Sequence, residues 1–451
     1  MVPLFKGGDK ENPSSYRPIS LLPALGKLLE KIVSIRALDH LNENELLSKH
    51  QFGFRKHFST EFALLDIYEK LLFNLDKNLS SCAIFLDLAK AFDSVDHTIL
   101  LSKLGKYGFH GPFLEFFKSY LDSRSQFVKL GCITSTILPI KFGVPQGSIL
   151  GPLLFLIFIN DLPNATNFFI KLFADDTFLC AQNSNLEALE VEVNQEIAKV
   201  YAWLVSNKLT LNIAKSKFMI ISNKKSISKE LQININDSPL EQCDKYKYLG
   251  VMMDKNLTWK YHIEYISTKI SKACGALAKL RHCVDCNVLT EVYHALIHSY
   301  VRYGIIAWGT ASESVLKPLQ TLINRALRIM SFAPFGRVDL EQIYEELNIL
   351  NVRQTFSLES SKFMFKSKKG LLPTEIANYF SESQPAGRIS SYNLRTRRNK
   401  PRLIIPRLAS SEKSIFIRGE ILWNSISEED KSSDSFLTFK RNIKAALLSD
   451  M

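Results

Sequence analysis

Residues 168–180 have the sequence Phe-Phe-Ile-Lys-Leu-Phe-Ala-Asp-Asp-Thr-Phe-Leu-Cys. Two apolar runs flank a tight Ala-Asp-Asp turn, a pattern that predicts a β-hairpin with Asp175 and Asp176 at its tip. Adjacent carboxylates beside apolar strands repel each other and lose hydration, so a cation is the usual partner that neutralises them. Taken alone, the pair is also compatible with an ordinary polar turn, which is the commoner role of adjacent acids.

A third acid, Asp87, ends the run Cys82-Ala-Ile-Phe-Leu-Asp87, which is typical of a buried strand. Acids at strand ends can hold two divalent metal ions about 3.5–4 Å apart, the arrangement used for in-line phosphoryl transfer. The three carboxylates together therefore predict a polymerase or a nuclease. By itself, Asp87 is also compatible with a helix N-cap.

The composition is that of a folded protein with a basic surplus. The chain has 451 residues, of which 46% are hydrophobic and 23% charged, so we expect roughly two to four domains rather than disorder. The formal net charge is +12 and the isoelectric point is near 9.2, which favours a polyanionic partner.

The cysteines and the apolar runs indicate an intracellular protein without a membrane partner. Seven cysteines, an odd number, are scattered along the chain, which favours buried thiols over a disulfide framework. No apolar run reaches the 18 or so residues that a membrane span needs. The longest, Ile149–Ile159, predicts a buried helix, and the N-terminus lacks the pattern of a signal peptide. The sequence leaves nucleus and cytoplasm open.

Hydrophobic periodicity predicts the remaining elements. Helices are expected at about 25–42, 60–75, 100–121, 187–205 and through most of 259–380; strands are expected at 81–88, 127–140, 217–221 and 246–252. Near the C-terminus, residues 395–407 contain six basic and no acidic residues.

One apparent metal motif does not have the spacing of a zinc finger. Cys283-x2-Cys286 and His294-x3-His298 are separated by only seven residues, whereas the zinc-finger pattern needs about twelve. Histidines on one helical face are explained more simply as core or surface residues, so we expect no zinc here.

A series of short motifs accompanies the three acids in one chain order. In order, they are Lys6-Gly-Gly with Tyr16-Arg-Pro-Ile-Ser-Leu, Gln51-Phe-Gly-Phe-Arg55 with Ser59-Thr60, Leu86-Asp-Leu-Ala-Lys-Ala-Phe-Asp-Ser-Val-Asp-His97, Gly143-Val-Pro-Gln-Gly-Ser-Ile-Leu-Gly-Pro152, Phe173-Ala-Asp-Asp176, Leu211-Asn-Ile-Ala-Lys-Ser216, Tyr248-Leu-Gly250, and Leu422-Trp-Asn with Phe439-Lys440. With these motifs the chain resembles, along essentially its whole length, the reverse transcriptases of non-LTR (LINE-type) retrotransposons, particularly the jockey-like and chicken-repeat-like branches.

The resemblance implies an α+β right-hand polymerase with fingers, an antiparallel-sheet palm, a helical thumb and a basic C-terminal extension. The expected divisions are 1–80 for N-terminally truncated fingers, 81–250 for the palm with interleaved fingers elements, 251–345 for the thumb and 346–451 for the extension. In the extension, Trp423 and Phe439 are expected to anchor the tail onto the thumb by packing rather than to serve as base-stacking platforms.

The implied activity is RNA-directed DNA polymerisation, which extends a primer 3′ end with deoxynucleotides by two-metal nucleotidyl transfer. The implied partners are an RNA template, a DNA primer and dNTPs. Because such elements usually carry an endonuclease before the polymerase, we expect the nick to come from another chain. The alternative is a catalytically inactive, truncated nucleic-acid-binding remnant, since the chain starts inside the first fingers motif.

The resemblance also assigns residues to the site. Asp87 and Asp175 would bridge two Mg²⁺ ions, with Mn²⁺ as an alternative, and Asp176 would complete the metal site. The nucleotide-binding residues would be Lys6 and Arg17 on the triphosphate, Phe92 beneath the sugar as a barrier to a ribose 2′-hydroxyl, Gln146 and Gly147 at the nascent base pair, and Lys215 at the pyrophosphate. The nucleic-acid-binding residues would be Arg55, Tyr248, Gly250, Arg395, Arg397 and Arg398.

Each of these assignments has a plainer alternative. Phe92 is one of 30 phenylalanines and is also compatible with a core position. Any single lysine or arginine is by default a solvated surface residue. The glycine-containing loops, taken alone, indicate structural turns.

Overall fold

The computed structural model describes residues 1–122, 124–224, 231–332, 339–382 and 413–449. The chain divides into two compact units. The first comprises Met1–Phe58, Cys82–Phe218 and Ser226–Gln242; the second comprises Ser59–Ser81, Met219–Lys225 and Cys243–Met451. Each unit therefore draws on separate parts of the sequence, and the four-part division expected from the resemblance stays a prediction.

The strands of the described residues are short except for those next to the acids. In chain order they are β1 Val2–Phe5, β2 Tyr16–Ile19, β3 Ser80–Leu86, β4 Ser125–Gln126, β5 Lys129–Leu130, β6 Ile133–Thr134, β7 Leu138–Pro139, β8 Phe169–Phe173, β9 Asp176–Asn183, β10 Lys217–Ile221, β11 Asn234–Ile235, β12 Ser238–Pro239, β13 Glu241–Gln242, β14 Lys245–Tyr248 and β15 Val251–Asp254.

Periodicity did not predict the helices after residue 413, but elsewhere the helices lie close to the predicted positions. In chain order they are α1 Ala24–Glu43, α2 Thr60–Asp76, α3 His97–Lys106, α4 Pro112–Leu121, α5 Leu150–Ile159, α6 Leu186–Ser206, α7 Lys260–Leu280, α8 Cys286–Tyr293, α9 Ser299–Arg302, α10 Ile305–Trp308, α11 Glu313–Met330, α12 Leu340–Glu346, α13 Val352–Lys368, α14 Thr374–Glu382, α15 Ile415–Ser425, α16 Glu428–Lys431 and α17 Phe436–Ser449. The mixture of helix and sheet agrees with the predicted α+β class.

The first unit is built around a five-stranded sheet with the order β13-β10-β3-β9-β8. The central strand β3 is buried at every residue, as its uninterrupted apolar run predicts. Strands β8 and β9 are antiparallel. Strand β13 pairs parallel with β10, which differs from the antiparallel sheet implied by the resemblance. The long connection over residues 222–240 permits this pairing, because parallel neighbours need a crossover of a dozen or more residues.

Two helices show how sequence determines burial in the first unit. Helix α5 is apolar all round and is almost completely buried, as expected for the run that ends at Ile159. Helix α6 buries one stripe at helical spacing, including Leu189, Val193 and Ile197. Its N-cap is Asn185, whose side chain accepts hydrogen bonds from the amides of Glu187 and Ala188.

The second unit is mainly helical, with one hairpin formed by β14 and β15. Phe439 is fully buried and lies in one apolar cluster with Leu350, Leu358, Phe365 and Ile443, against which Trp423 packs. The rings of Phe439 and Phe365 stack with centroids 4.5 Å apart. Trp423 and Phe439 therefore pack in a core as predicted, but the residues of this cluster lie within 346–451, so their packing onto the thumb stays a prediction. None of the helices in the described part of the chain has the length and apolarity to cross a membrane.

Candidate active site

The hairpin of β8 and β9 carries two of the three acids. Phe173 pairs with Asp176 across the hairpin, so Ala174 and Asp175 form a two-residue turn. Ala174 has a φ of 56°, in the left-handed region that two-residue hairpin turns use. An alanine there costs on the order of 1 kcal/mol relative to an ordinary backbone conformation. Such strain persists only where surrounding contacts hold the backbone, and here the Ala174 amide donates to the Gln51 Oε1 at 3.1 Å.

The three acids lie close enough to repel one another electrostatically. Burial raises the pKa of Asp175, and repulsion by Asp87 raises it further. Burial followed by repulsion from Asp175 and Asp87 raises the pKa of Asp176 to about 6. The lone acid after β3 and the pair at the hairpin tip therefore act on one another as the sequence predicts.

The three carboxylates match the charge that a divalent-metal site requires. In the described ranges, no three His, Cys, Asp or Glu side chains are already arranged to ligate one ion. The mutual repulsion of Asp87, Asp175 and Asp176 is nonetheless the signature of a site that a cation would stabilise. In two-metal phosphoryl transfer the phosphate oxygens supply further ligands, so three carboxylates suffice as the protein's share.

Residues of a downstream motif fix the backbone of Asp87. The Asp87 amide donates to the Ser216 Oγ at 3.1 Å, and the Asn212 amide donates to the Asp87 carbonyl at 2.8 Å. The Lys215 Nζ lies 3.9 Å from the Asp87 Oδ2. Its neighbour Lys217 instead pairs with Glu241. Lys215 is therefore the lysine of this motif that reaches the acids.

Lys6 and Arg17 lie near the same acids. Arg17 is on β2, opposite Leu4 of β1, and Lys6 directly follows β1; both cations are exposed. Arg17 and Lys6 lower the pKa of Asp175, and Lys6 lowers that of Asp176, each opposing the effect of burial. The structure thus brings the two predicted triphosphate-binding cations to the carboxylates.

Phe92 is half-buried in a small aromatic cluster. Its ring stacks on Phe155 of α5 with centroids 4.6 Å apart and meets Phe54 edge-on at 6.5 Å. The carbonyl of Phe92 accepts a hydrogen bond of 2.7 Å from the Val144 amide. The ring therefore packs as the core alternative predicts, part of it stays accessible, and its role as a barrier to the 2′-hydroxyl stays a prediction.

The Gly143–Ser148 loop is held close to the Asp87 motif. A side chain at Gly143 would meet the Asp93 backbone at 2.8 Å, so glycine permits this approach. Gln146 donates from its Nε2 to the Asp93 Oδ1 at 3.0 Å, and its carbonyl accepts from the Ser20 amide at 2.8 Å. Gly147 has a φ of 99°. The Asp93 carboxylate thus orients the predicted base-pair contact.

The Arg55 guanidinium binds backbone carbonyls of nearby residues. Its guanidinium donates to the carbonyls of Ser48 at 3.0 Å and Gln51 at 3.2 Å, and it lies over the Phe58 ring at 4.2 Å. These bonds give Arg55 a role in shaping the loop, and its contact with phosphate stays a prediction.

The hairpin of β14 and β15 has a buried tyrosine and an exposed glycine at its turn. Tyr248 is only 3% exposed, so its ring packs inside the second unit. Leu249 and Gly250 both have positive φ, the pattern of a type I′ hairpin turn. The Tyr303 hydroxyl donates to the Leu249 carbonyl at 2.6 Å and fixes this turn.

Strand β14 of this hairpin and helix α7 form a ridge of lysines and tyrosines that sequence reasoning missed; Lys245, Lys247 and Tyr261 are exposed and Tyr265 is half-buried. Lys245 lies over the Tyr261 ring at 4.4 Å, and Lys247 lies over the Tyr265 ring at 4.6 Å. Lys247 also donates from its Nζ to the Tyr265 hydroxyl at 3.0 Å. We call these four residues the lysine–tyrosine ridge. The sequence signal that could have predicted this ridge was two lysines alternating on a strand and two tyrosines four residues apart on a helix, since such residues share one face.

The remaining predicted contacts, Arg395, Arg397 and Arg398, lie outside the described residues. Three side chains near the acids were not predicted: Asp93, Ser216 and Gln51. All three belong to motifs quoted in the sequence analysis, but a role for each depends on a partner distant in sequence.

Comparison with known proteins identifies the family. Residues 8–253 match the family of reverse transcriptases (RNA-dependent DNA polymerases). The probable RNA-directed DNA polymerase from transposon BS of Drosophila melanogaster is 31% identical over 368 residues, which cover 79% of this chain and 40% of that protein. The RNA-directed DNA polymerase from mobile element jockey of the same species is 29% identical over 341 residues, covering 73% of this chain and 37% of that protein.

The chain thus spans about two fifths of the length of these curated relatives. Among solved structures, apo telomerase from Candida tropicalis is similar over 73% of this chain and 54% of that chain, with 11% identity and a TM-score of 0.39. Because that score is low, the family assignment rests on the sequence matches. They confirm the resemblance predicted from the motifs, and since they cover more than half of the chain, it belongs to the reverse transcriptase (RNA-dependent DNA polymerase) family, among the non-LTR retrotransposon members.

Proposed function

We propose that this chain is an RNA-directed DNA polymerase that adds deoxynucleotides to a primer 3′ end by two-metal nucleotidyl transfer. The observation that carries the proposal is the convergence of Asp87 with Asp175 and Asp176 at the edge of the five-stranded sheet, within the family match. In this proposal the sheet is the palm of a right-hand polymerase, and β1, β2 and α2 belong to the fingers. The helices within 251–345 supply the thumb, and those within 346–451 supply the C-terminal extension.

The carboxylates would hold the catalytic metals. Asp87 and Asp175 would bridge two Mg²⁺ ions, or Mn²⁺ in their place, and Asp176 would complete the site. When bound, the ions would lower the pKa of the primer 3′-hydroxyl and neutralise charge on the triphosphate. The protein's part is to keep three acids close despite their repulsion, which the sheet and the hairpin do.

Other side chains would bind and orient the nucleotide. Lys6 and Arg17 would lie against the triphosphate, since both already act electrostatically on the acids. Lys215, beside Asp87, would donate a proton to the departing pyrophosphate. Gln146, oriented by Asp93, would contact the nascent base pair, and Gly147 would leave space for it.

Phe92 would select the sugar. Its stacking on Phe155 would limit rotation of the ring, so that a ribose 2′-hydroxyl placed against it would clash. A rigid barrier of this kind favours deoxynucleotides over ribonucleotides.

The template–primer would lie partly on the lysine–tyrosine ridge. Lysine side chains neutralise phosphates whatever the nucleotide sequence, and tyrosine rings offer stacking surfaces for exposed bases. Gly250, exposed at the neighbouring turn, would permit close approach of the backbone, while the buried Tyr248 would support the hairpin from within. An RNA template and a DNA primer are therefore the proposed partners.

Primer extension tests the proposal. On poly(A)/oligo(dT) with Mg²⁺ or Mn²⁺, the protein is expected to incorporate dTTP, and Asp175→Asn to lower the rate by at least ~100-fold because a metal-bridging charge is lost. Asp39→Asn, which changes an exposed acid of α1 in the same unit, is the matched control and should retain activity. Equal rates for the protein and Asp175→Asn would end the catalytic assignment. Binding of primer–template with no incorporation by the unmodified chain would favour the inactive remnant instead.

A further inference from the structure

Gln51 is a fully buried amide next to the catalytic hairpin. It lies on a segment that runs beside β8: the Phe52 amide donates to the Leu172 carbonyl at 2.8 Å, and the Leu172 amide donates to the His50 carbonyl at 2.9 Å. Its exposed fraction is 0%. A polar side chain with no access to water is retained only where it satisfies other buried groups.

The Gln51 side chain binds the hairpin at the residue that precedes Asp175. Its Oε1 accepts from the Ala174 amide at 3.1 Å and from the Gly53 amide at 2.8 Å. Ala174 is buried and lies in the turn between β8 and β9, so its amide needs an acceptor from the protein. Gln51 therefore supplies the acceptor that this strained turn lacks.

Gly53 allows the loop to come this close. A Cβ at position 53 would lie 2.5 Å from the Ala174 nitrogen and 3.0 Å from the Phe173 carbonyl carbon. Its φ is not positive, so glycine is needed here for space rather than for backbone conformation.

The same loop reaches the proposed sugar-selecting residue. Phe54, which follows Gly53, meets the Phe92 ring edge-on. Arg55 holds the loop from the other side through the carbonyls of Ser48 and Gln51. One short segment thus contacts both the turn that carries the acids and the aromatic ring beneath the nucleotide.

We propose that Gln51 and Gly53, together called the Gln51 clasp, are positioning residues. They hold the Asp175 carboxylate at the position from which it can bind the same metal ions as Asp87. The inference rests on the proposed function, because it assigns the clasp a part in that reaction. Loss of the clasp would let the turn relax away from Asp87. Small displacements of reacting groups lower the rate of the chemical step more than they lower binding of the substrate.

Three variants test the clasp. Gln51→Met keeps the side-chain volume and removes the acceptor, and Gly53→Ala inserts a methyl group against the Ala174 amide. Gly105→Ala in α3 is the matched control, because a Cβ there meets no atom within 4 Å. Amide hydrogen exchange at Ala174 measures the clasp directly and needs no activity. Steady-state dTTP incorporation then measures kcat and KM separately.

In Gln51→Met, exchange at Ala174 is expected to be at least ~10-fold faster, while exchange at Phe85 in β3 stays unchanged. The kcat of Gln51→Met and Gly53→Ala should fall at least ~10-fold with KM for dTTP within about threefold of the unmodified protein. Unchanged exchange at Ala174, equal acceleration at Phe85, or unchanged kcat would each overturn the inference. If the unmodified protein fails to incorporate dTTP, the proposed function falls, whereas the exchange result still decides whether the clasp exists.

Discussion

Replacing Asp176 with asparagine should stabilise the metal-free protein. In the structure, burial and the charges of Asp175 and Asp87 raise the pKa of Asp176 from 3.8 to about 6. A folded-state pKa above the unfolded value means that the folded protein binds the proton more tightly. The contribution of the Asp176 carboxyl to the free energy of unfolding is therefore present at low pH and is lost as pH rises from about 4 through about 6. Asp176→Asn removes the charge and with it this loss.

The size of the effect follows from the shift. Fully expressed, a rise of this size corresponds to roughly 3 kcal/mol, at 1.36 kcal/mol per pH unit. Packed neighbours remove part of the hydration of the Asp176 carboxyl, yet more than a third of the residue's surface still reaches solvent, so solvent screening reduces the expected gain to about 1 kcal/mol. The gain should be complete at about pH 7.5 and absent below about pH 4.

Urea unfolding in EDTA measures the gain as a difference in the free energy of unfolding. Asp39→Asn is the control and should change that free energy by less than about 0.5 kcal/mol. Addition of Mg²⁺ should then stabilise the unmodified protein more than Asp176→Asn, because binding to the folded state adds stability by mass action. If Asp176→Asn is no more stable at pH 7.5, or gains equally at pH 4, the repulsion inferred among the three acids is wrong.

Two further substitutions test the nucleotide and nucleic-acid contacts. Phe92→Ala should reduce the preference for dTTP over UTP by at least ~10-fold, measured as the ratio of kcat/KM values, since the ring no longer excludes the 2′-hydroxyl; unchanged discrimination would contradict the barrier. Lys245→Ala combined with Lys247→Ala should weaken binding to a primer–template and reduce the slope of log affinity against log salt by roughly 1 to 2 in a gel-shift titration. Lys317→Ala, which changes an exposed lysine of α11, serves as the control. An unchanged slope in the double variant would exclude the lysine–tyrosine ridge as a contact for the primer–template.

The sequence predicted the parts of the site that depend on local patterns. The hairpin follows from two apolar runs and a short turn, and the strand before Asp87 follows from an uninterrupted apolar run. The buried helix α5 was predicted by composition alone. Convergence of Asp87 with the pair required knowing that β3 and β9 are neighbours, which the family resemblance supplied and the sheet order confirms.

Contacts between distant residues were beyond local patterns. Gln51 and Ala174 are separated by 123 positions, so nothing near Gln51 indicated its partner. The partners of Arg55, by contrast, are near in sequence, but its bonds to the Ser48 and Gln51 carbonyls depend on the conformation of the loop, which no sequence pattern specified. Nor did the sequence indicate that Tyr248 is buried, since Lys245 and Lys247 on the same strand are exposed.

Crystals of the protein with primer–template, an incoming nucleotide that does not react and Mn²⁺ would locate the metals by anomalous scattering. The account predicts two peaks about 3.5–4 Å apart, with carboxylate oxygens of both Asp87 and Asp175 as ligands. Peaks that contact only one of these residues, or that lie away from the β8–β9 turn, would contradict it.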